Sequence, residues 1–219
     1  MFRLLFLIAL LQFHQPVFST EDTVSQAVAR YLTRIHKYME DEDWINAKRE
    51  LEVTARRYFK NEDSYERALI NQLYGQFYAL QRDYKNAIPW FEKAIAKGRL
   101  PFAADLQVSY SLAQCYFQTG RYKDVIATLE NYRDKASKRG QNMAPIQLML
   151  LGIAYYQEQD TLNAYLNIAE ANATATKLNE EWLQYEFALA VKLEKYDDAV
   201  SVGQFLIFVN PEKLSLIHI

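Results

Sequence analysis

Apolar residues along most of the chain recur at intervals of three and four, which places them on single faces of helices. In one central stretch, Tyr74 and Tyr78 precede a polar break at Arg82, and Ala87 and Phe91 follow it. The break divides two amphipathic segments, each long enough for a helix of three to four turns. The pattern predicts a pair of antiparallel helices joined by a tight turn.

The paired pattern recurs along the chain. Five short stretches, each with a usually small residue in fifth place, echo one another at 43–47, 83–87, 121–125, 160–164 and 195–199. Their third residues are separated by 40, 38, 39 and 35 positions, and a period of this size indicates a helical repeat array. We therefore predict an all-α solenoid of five units, at about 28–61, 68–101, 106–139, 145–178 and 180–213.

Small residues and prolines refine this prediction. Gly75 and Ala87 lie where the two helices of the second unit face each other, and a missing side chain allows close approach. Pro145 suits the first turn of a helix, where its absent N–H is not needed. Pro89 lies about six residues into a predicted helix, so we expect a late helix start or a kink there. The charged run 133–139 is expected to be a solvated helix end.

The two ends of the chain do not follow the repeat. Arg3 and an unbroken apolar run at 4–11 precede Val17 and Ser19, which are small enough for a signal-peptidase site. A membrane span needs about 20 apolar residues, so residues 1–19 are predicted to be a secretory signal peptide before a repeat domain at 20–213. An uncleaved anchor is the alternative. Residues 214–219 continue no repeat and are expected to be a non-native tail, with further helices in the natural chain.

Composition narrows the function. The 219 residues carry a formal net charge of −2, which gives none of the basic excess expected of a nucleic-acid-binding protein. Cys115 is the only cysteine, so an internal disulfide and a cysteine-based zinc site are excluded, and its apolar neighbours predict a core position. His14, His36 and His218 are too scattered for a metal site. We predict a protein that is not an enzyme and needs no cofactor; a catalytic role stays the remote alternative.

Recurrent residues at fixed places of each unit resemble the tetratricopeptide repeat family across about 28–213. They are Tyr74, Gly75 and Tyr78, then Leu112, Ala113 and Tyr116, then Leu151, Gly152 and Tyr155, then Leu183 and Phe187 in the fifth unit. The resemblance implies a right-handed superhelix whose concave wall is made by the first helix of each unit. It also implies a protein–protein interaction scaffold.

A closer resemblance rests on the order of several motifs. The sequence at 64–68 (Ser-Tyr-Glu-Arg-Ala) precedes 83–88 (Asp-Tyr-Lys-Asn-Ala-Ile), and 196–200 (Tyr-Asp-Asp-Ala-Val) follows later. This order is similar to that of periplasmic tetratricopeptide proteins associated with TonB energy-transduction operons in Gram-negative bacteria. It implies a periplasmic assembly or coupling factor beside TonB-dependent uptake. A generic secreted assembly factor for an envelope complex and a self-assembling repeat are the alternatives.

The family's groove positions map onto an aromatic and amide-rich set. They are Gln72, Gln76 and Leu80 in the second unit, Gln107, Tyr110, Gln114, Phe117 and Gln118 in the third, and Met149, Ile153, Tyr156 and Gln157 in the fourth. Amides can pair with a peptide backbone, and aromatic rings supply contact area at little entropic cost. The set lacks the cations of a carboxylate clamp. We predict a protein or peptide partner, and no small-molecule substrate.

Overall fold

Ten α-helices follow one another in a computed structural model that describes residues 26–58 and 64–209. They are α1 (Gln26–Glu40), α2 (Trp44–Tyr58), α3 (Tyr65–Leu80), α4 (Tyr84–Ile95), α5 (Phe102–Gln118), α6 (Tyr122–Ser137), α7 (Pro145–Gln157), α8 (Thr161–Thr174), α9 (Glu180–Lys192) and α10 (Tyr196–Val209). Neither described range contains a strand, which confirms the all-α prediction. None of the described helices is long and apolar enough to cross a membrane.

The helices associate as successive antiparallel pairs. The main contacts join α1 to α2, α3 to α4 and so on within pairs, and the second helix of each pair to the first helix of the next. Contact with neighbours alone is what defines a solenoid. The helix pairs start up to four residues before the predicted units, since α5 begins at Phe102 rather than near 106. The predicted signal peptide at 1–19 and the tail at 214–219 lie outside the described residues.

Two apolar clusters form the core of the described chain. The smaller one joins α1, α2 and α3, where the Phe77 ring meets Trp44 edge-on with 6.0 Å between ring centroids. The larger one extends from α3 to α10 without a break. Each unit therefore shares its core with the next.

Helix contact within a pair depends on one small and one large residue. A Cβ atom added to Gly75 would lie 2.5 Å from the Phe91 ring, so α3 and α4 meet as closely as the sequence predicts. Gly152 has the same relation to Ile168 at 2.6 Å. The fifth pair reverses the arrangement, because the large Phe187 lies on the first helix and Gly203 on the second. The sequence alignment of Phe187 with Tyr116 is therefore wrong, and Phe187 occupies the place of Gly75.

The turn inside each pair has a repeated construction. A residue with positive φ comes directly before the residue that precedes the second helix; these residues are Glu42, Arg82, Gly120, Gln159 and Glu194. Asp83 then caps α4 by accepting a hydrogen bond from the Asn86 backbone at 3.3 Å. Because α4 begins at Tyr84, the late start expected from Pro89 is wrong. Pro145 opens α7, as predicted.

Candidate protein interaction surface

Three of the predicted groove residues do not reach the surface. Gln76, Met149 and Ile153 are buried, and Met149 is only 1% exposed. The reason is that the middle of α7, from Leu148 to Ala154, is buried on every side. A helix that is apolar all round is enclosed by its neighbours rather than facing a groove. Their assignment to a partner-binding surface is wrong for the folded chain.

A second group of predicted residues is half-buried. It consists of Gln72, Leu80, Gln107, Tyr110, Gln114 and Phe117. Burial raises the pKa of Tyr110 to about 12, against the opposing effect of its hydrogen bond with Gln114. The Phe117 ring meets Tyr122 edge-on at 5.5 Å. These side chains serve internal packing with part of their surface, and partner contact by the remainder stays a prediction.

The exposed members of the predicted set lie at the C-terminal ends of the first helices. Gln118 ends α5, and Tyr156 and Gln157 end α7, where Tyr156 is 44% exposed. In the fifth unit the same places, counted back from the turn, hold Val191 and Lys192, which are also exposed. We call Gln118, Tyr156, Gln157, Val191 and Lys192 the helix-end strip.

Contacts connect this strip from unit to unit. The Lys192 ammonium lies 5.8 Å from the centroid of the Tyr156 ring, which joins α9 to α7. At the other end, Gln118 and Thr119 line an open cavity of about 400 Å³ together with the turn at 82–85. The strip thus runs along one edge of the second to fifth units.

Sequence reasoning missed the fifth unit's share of this surface. Gln184 and Ala188, one and two turns before Lys192, are exposed at places where the fourth unit has the buried Met149 and Ile153. Counting back from the turn at 195 would have found these positions. Lys192 also adds a cation to a wall that the sequence predicted to be nearly uncharged.

The charged run 133–139 is not simply a solvated helix end. The Lys135 ammonium lies 2.6 Å from a carboxylate oxygen of Asp105, a residue that is largely buried on α5. Arg133 donates a hydrogen bond to the side chain of Asn167 on α8. The Arg139 guanidinium lies 4.3 Å from the centroid of the Phe102 ring. These contacts hold α6 against α5 and α8, so the prediction is wrong for this run.

Chemically reactive groups are embedded or dispersed. Cys115 is 2% exposed, as predicted, and burial raises the pKa of its thiol to about 12. Burial lowers the pKa of His36, against a weaker opposing effect of Glu40. In the part of the chain that the structure describes, no group of three or more His, Cys, Asp or Glu side chains could hold a metal ion.

Comparison with known proteins gives one partial match in sequence and several in structure. The sequence model of the family described as "Anaphase-promoting complex, cyclosome, subunit 3" matches residues 80–142. A search of curated protein sequences gives no match. Among solved structures, MamA from Desulfovibrio magneticus is 16% identical, with a TM-score of 0.65, over 88% of this chain and 99% of that one.

Two further structures share the architecture. A tetratricopeptide repeat protein from Parabacteroides merdae is 15% identical, with a TM-score of 0.64, over 85% of this chain and 68% of that one. PilW, described as a type IV pilus biogenesis factor, is 17% identical, with a TM-score of 0.53, over 89% of this chain and 99% of that one.

The chain has a tetratricopeptide-type fold. At these identities the likeness establishes the fold alone, and the α-solenoid predicted from the sequence is confirmed. In this tetratricopeptide-type array, the helix-end strip is the exposed remainder of the groove positions that the sequence predicted.

Proposed function

We propose that this array is a non-catalytic scaffold that binds a segment of a partner protein along the helix-end strip. The observation that carries the proposal is the exposure of equivalent positions in three successive units: Gln118, Gln157 and Lys192. A surface repeated from unit to unit suits an extended partner, because each unit offers a contact at the same relative place.

The strip also defines the chemistry of the partner. Gln118 and Gln157 carry both donors and acceptors, which can pair with the main chain of an extended segment. Tyr156 offers a large ring that loses little rotamer freedom on binding. Lys192, beside that ring, favours a carboxylate on the partner. The segment that fits has an apolar or aromatic side chain next to an acidic one.

The proposed location is the periplasm, and the proposed setting is a TonB-dependent transport system. Support for the location comes from the basic residue, apolar run and small residues at 1–19. Support for the setting comes from the motif order described above. The alternative is an assembly factor for another envelope complex.

Binding is tested by capture from a Gram-negative envelope extract, followed by identification of the captured proteins. Tyr156→Ala/Gln157→Ala should lower capture of the specific partner at least tenfold, while Leu162→Ala/Leu166→Ala should not. The control changes two exposed residues of the same unit on α8, outside the strip. Equal capture by both variants, with unchanged circular dichroism, would remove the strip from the mechanism.

Location and setting need separate experiments. Fusion of residues 1–30 to alkaline phosphatase, an enzyme active only after export, should give activity that Leu7→Arg/Ile8→Arg abolishes. Activity in neither fusion contradicts the periplasmic proposal. Identified TonB-system subunits, captured by the wild type and lost with the Tyr156→Ala/Gln157→Ala variant, would support the TonB setting. Subunits of another envelope complex would support the alternative.

A further inference from the structure

Helix α10 is apolar where the earlier second helices are polar. The equivalents of Phe205 in α4, α6 and α8 are Lys93, Asn131 and Glu170. All three are exposed, as is Phe205. The equivalents of Phe208 are Ala96, Asp134 and Ala173, and Phe208 is itself 80% exposed. The outer surface of the fifth unit has therefore exchanged polar side chains for two phenylalanines.

The stacking face of α10 is apolar as well. Val200 corresponds to Ile88 in α4 and Tyr165 in α8. Ile88 is 5% exposed because the next unit covers it, whereas Val200 is 61% exposed. Val200 belongs to the face on which every earlier boundary is built. With Phe205, Ile207 and Phe208, it makes α10 apolar around most of its circumference, which is typical of an enclosed helix.

We propose that a second copy of this chain covers α10, and that the two copies pair α10 against α10 about a two-fold axis. Continuity with the boundaries between units supports a helical occupant, since helices cover the equivalent faces of α4, α6 and α8. A two-fold pairing requires one patch that is complementary to itself. An apolar helix surface meets this requirement without matching charges.

The opposite end of the array does not fit as the occupant. The exposed residues of α1 include Arg30, Thr33, Arg34, Lys37 and Glu40. Seating this charged face on Phe205 and Phe208 would bury charges without partners, at a cost that apolar contact does not offset. Head-to-tail stacking of copies is therefore disfavoured against tail-to-tail pairing.

A lipid surface fits less well than a second copy. Helices that lie in a membrane interface carry Lys or Arg on the polar side, which holds them to anionic headgroups. No Lys or Arg occurs in α10, and its first turn contains Asp197 and Asp198. The charges of α10 would be repelled by such a surface.

Sedimentation equilibrium of the full chain tests the pairing. The wild type should show a monomer–dimer equilibrium. Phe205→Lys/Phe208→Lys should weaken it about 100-fold or more, because each substitution enters the interface twice as an unpaired charge. The matched control, Ile45→Lys/Leu162→Lys, replaces two exposed apolar residues on α2 and α8 and should leave the dimer unchanged. A monomer at all concentrations, or a dimer that survives the first variant, overturns the proposal.

Oxidative cross-linking tests the geometry. Gln204 is exposed on α10 and Thr33 on α1, while the native Cys115 is buried and should not react. An equimolar mixture of Gln204→Cys and Thr33→Cys chains should give only 204–204 links. A 204–33 link would establish head-to-tail stacking instead. A monomer that binds phosphatidylglycerol vesicles through Phe205 and Phe208 would assign the patch to lipid.

Discussion

The Tyr116 hydroxyl on α5 donates a hydrogen bond of 2.6 Å to the carboxylate of Glu92 on α4. The same bond recurs one unit later, where Tyr155 on α7 donates to Glu130 on α6 at 2.9 Å. Both pairs join the first helix of one unit to the second helix of the preceding unit. The bond therefore belongs to the boundary rather than to either unit.

The boundary between the fourth and fifth units lacks this bond. At the α8–α9 boundary the equivalent residues are Ala169 and Ala190, which have no polar side-chain groups. The Asn172 amide instead donates to Glu186 at 2.8 Å. The tyrosine–carboxylate bonds thus lie at two successive boundaries, between the second and third units and between the third and fourth.

Removal of one boundary hydrogen bond should destabilise the array measurably. We expect Tyr155→Phe to lower the free energy of unfolding by about 1 kcal/mol, because the hydroxyl donates to a carboxylate. Urea unfolding of Tyr155→Phe, Glu130→Ala and the double variant should give a coupling energy of about 1 kcal/mol. Tyr196→Phe is the control, since Tyr196 is mostly exposed, and should change stability by less than about 0.5 kcal/mol. A coupling energy near zero would contradict the role assigned to this bond.

The array should lose stability in alkaline solution. Burial, then the hydrogen bond to a carboxylate, raises the pKa values of Tyr155 and Tyr165 to about 12, from an ordinary value of 10.0. The folded state thus favours the protonated phenols. Their contribution is complete below pH 10 and is lost as the pH rises towards 12.

The change in tyrosinate absorbance and the urea midpoint should be followed together across this pH interval. Tyr155→Phe/Tyr165→Phe should be less stable at neutral pH but should show a smaller fall between pH 10 and 12. An equal fall in the variant and the wild type would place the alkaline sensitivity elsewhere.

A methyl group at Gly75 should not be tolerated. Its Cβ would lie 2.5 Å from the ring of Phe91, which is almost fully buried and cannot move outward. We expect Gly75→Ala to lower the free energy of unfolding by about 1–3 kcal/mol through overpacking. The same substitution at Gly203 has room, with the nearest contact at 3.5 Å, and should raise stability by about 0.5–1 kcal/mol because glycine weakens helices. Urea unfolding measures both, and equal effects would count against the proposed contact.

Cys115 should report opening of the core. Because the thiol is buried and its pKa is raised to about 12, a thiol-specific reagent at pH 8 should modify it far more slowly than an unfolded cysteine. It is the only cysteine, so mass spectrometry gives an unambiguous readout. Addition of urea should bring the rate to that of a free thiol at the same concentration that unfolds the helices. Rapid modification of the folded chain would show that Cys115 is accessible.

Repetition made the architecture predictable, since a contact such as Gly75 with Phe91 recurs as Gly152 with Ile168. Periodicity reveals which residues share a face, and small residues reveal where helices meet. The fifth unit was harder to align because the exchange of Phe187 and Gly203 preserves the contact while inverting the pattern on which the alignment relied.

The candidate surface was less predictable. A repeat position identifies the side of a helix, but its exposure depends on how closely the neighbouring units approach. Met149 and Tyr156 both hold groove positions on α7, yet the first is buried and the second exposed. The ion pair of Lys135 with Asp105 was likewise hidden, because the two residues are 30 positions apart.

The boundary bonds have a consequence for selectivity. By holding α4 to α5 and α6 to α7, they set the separation between Gln118 and Gln157. The surface consequently acts as a gauge of length, on which a bound segment must carry its recognised side chains at the pitch of the repeat. One residue inserted between those side chains would leave the composition of the segment nearly unchanged and put it out of step with the array.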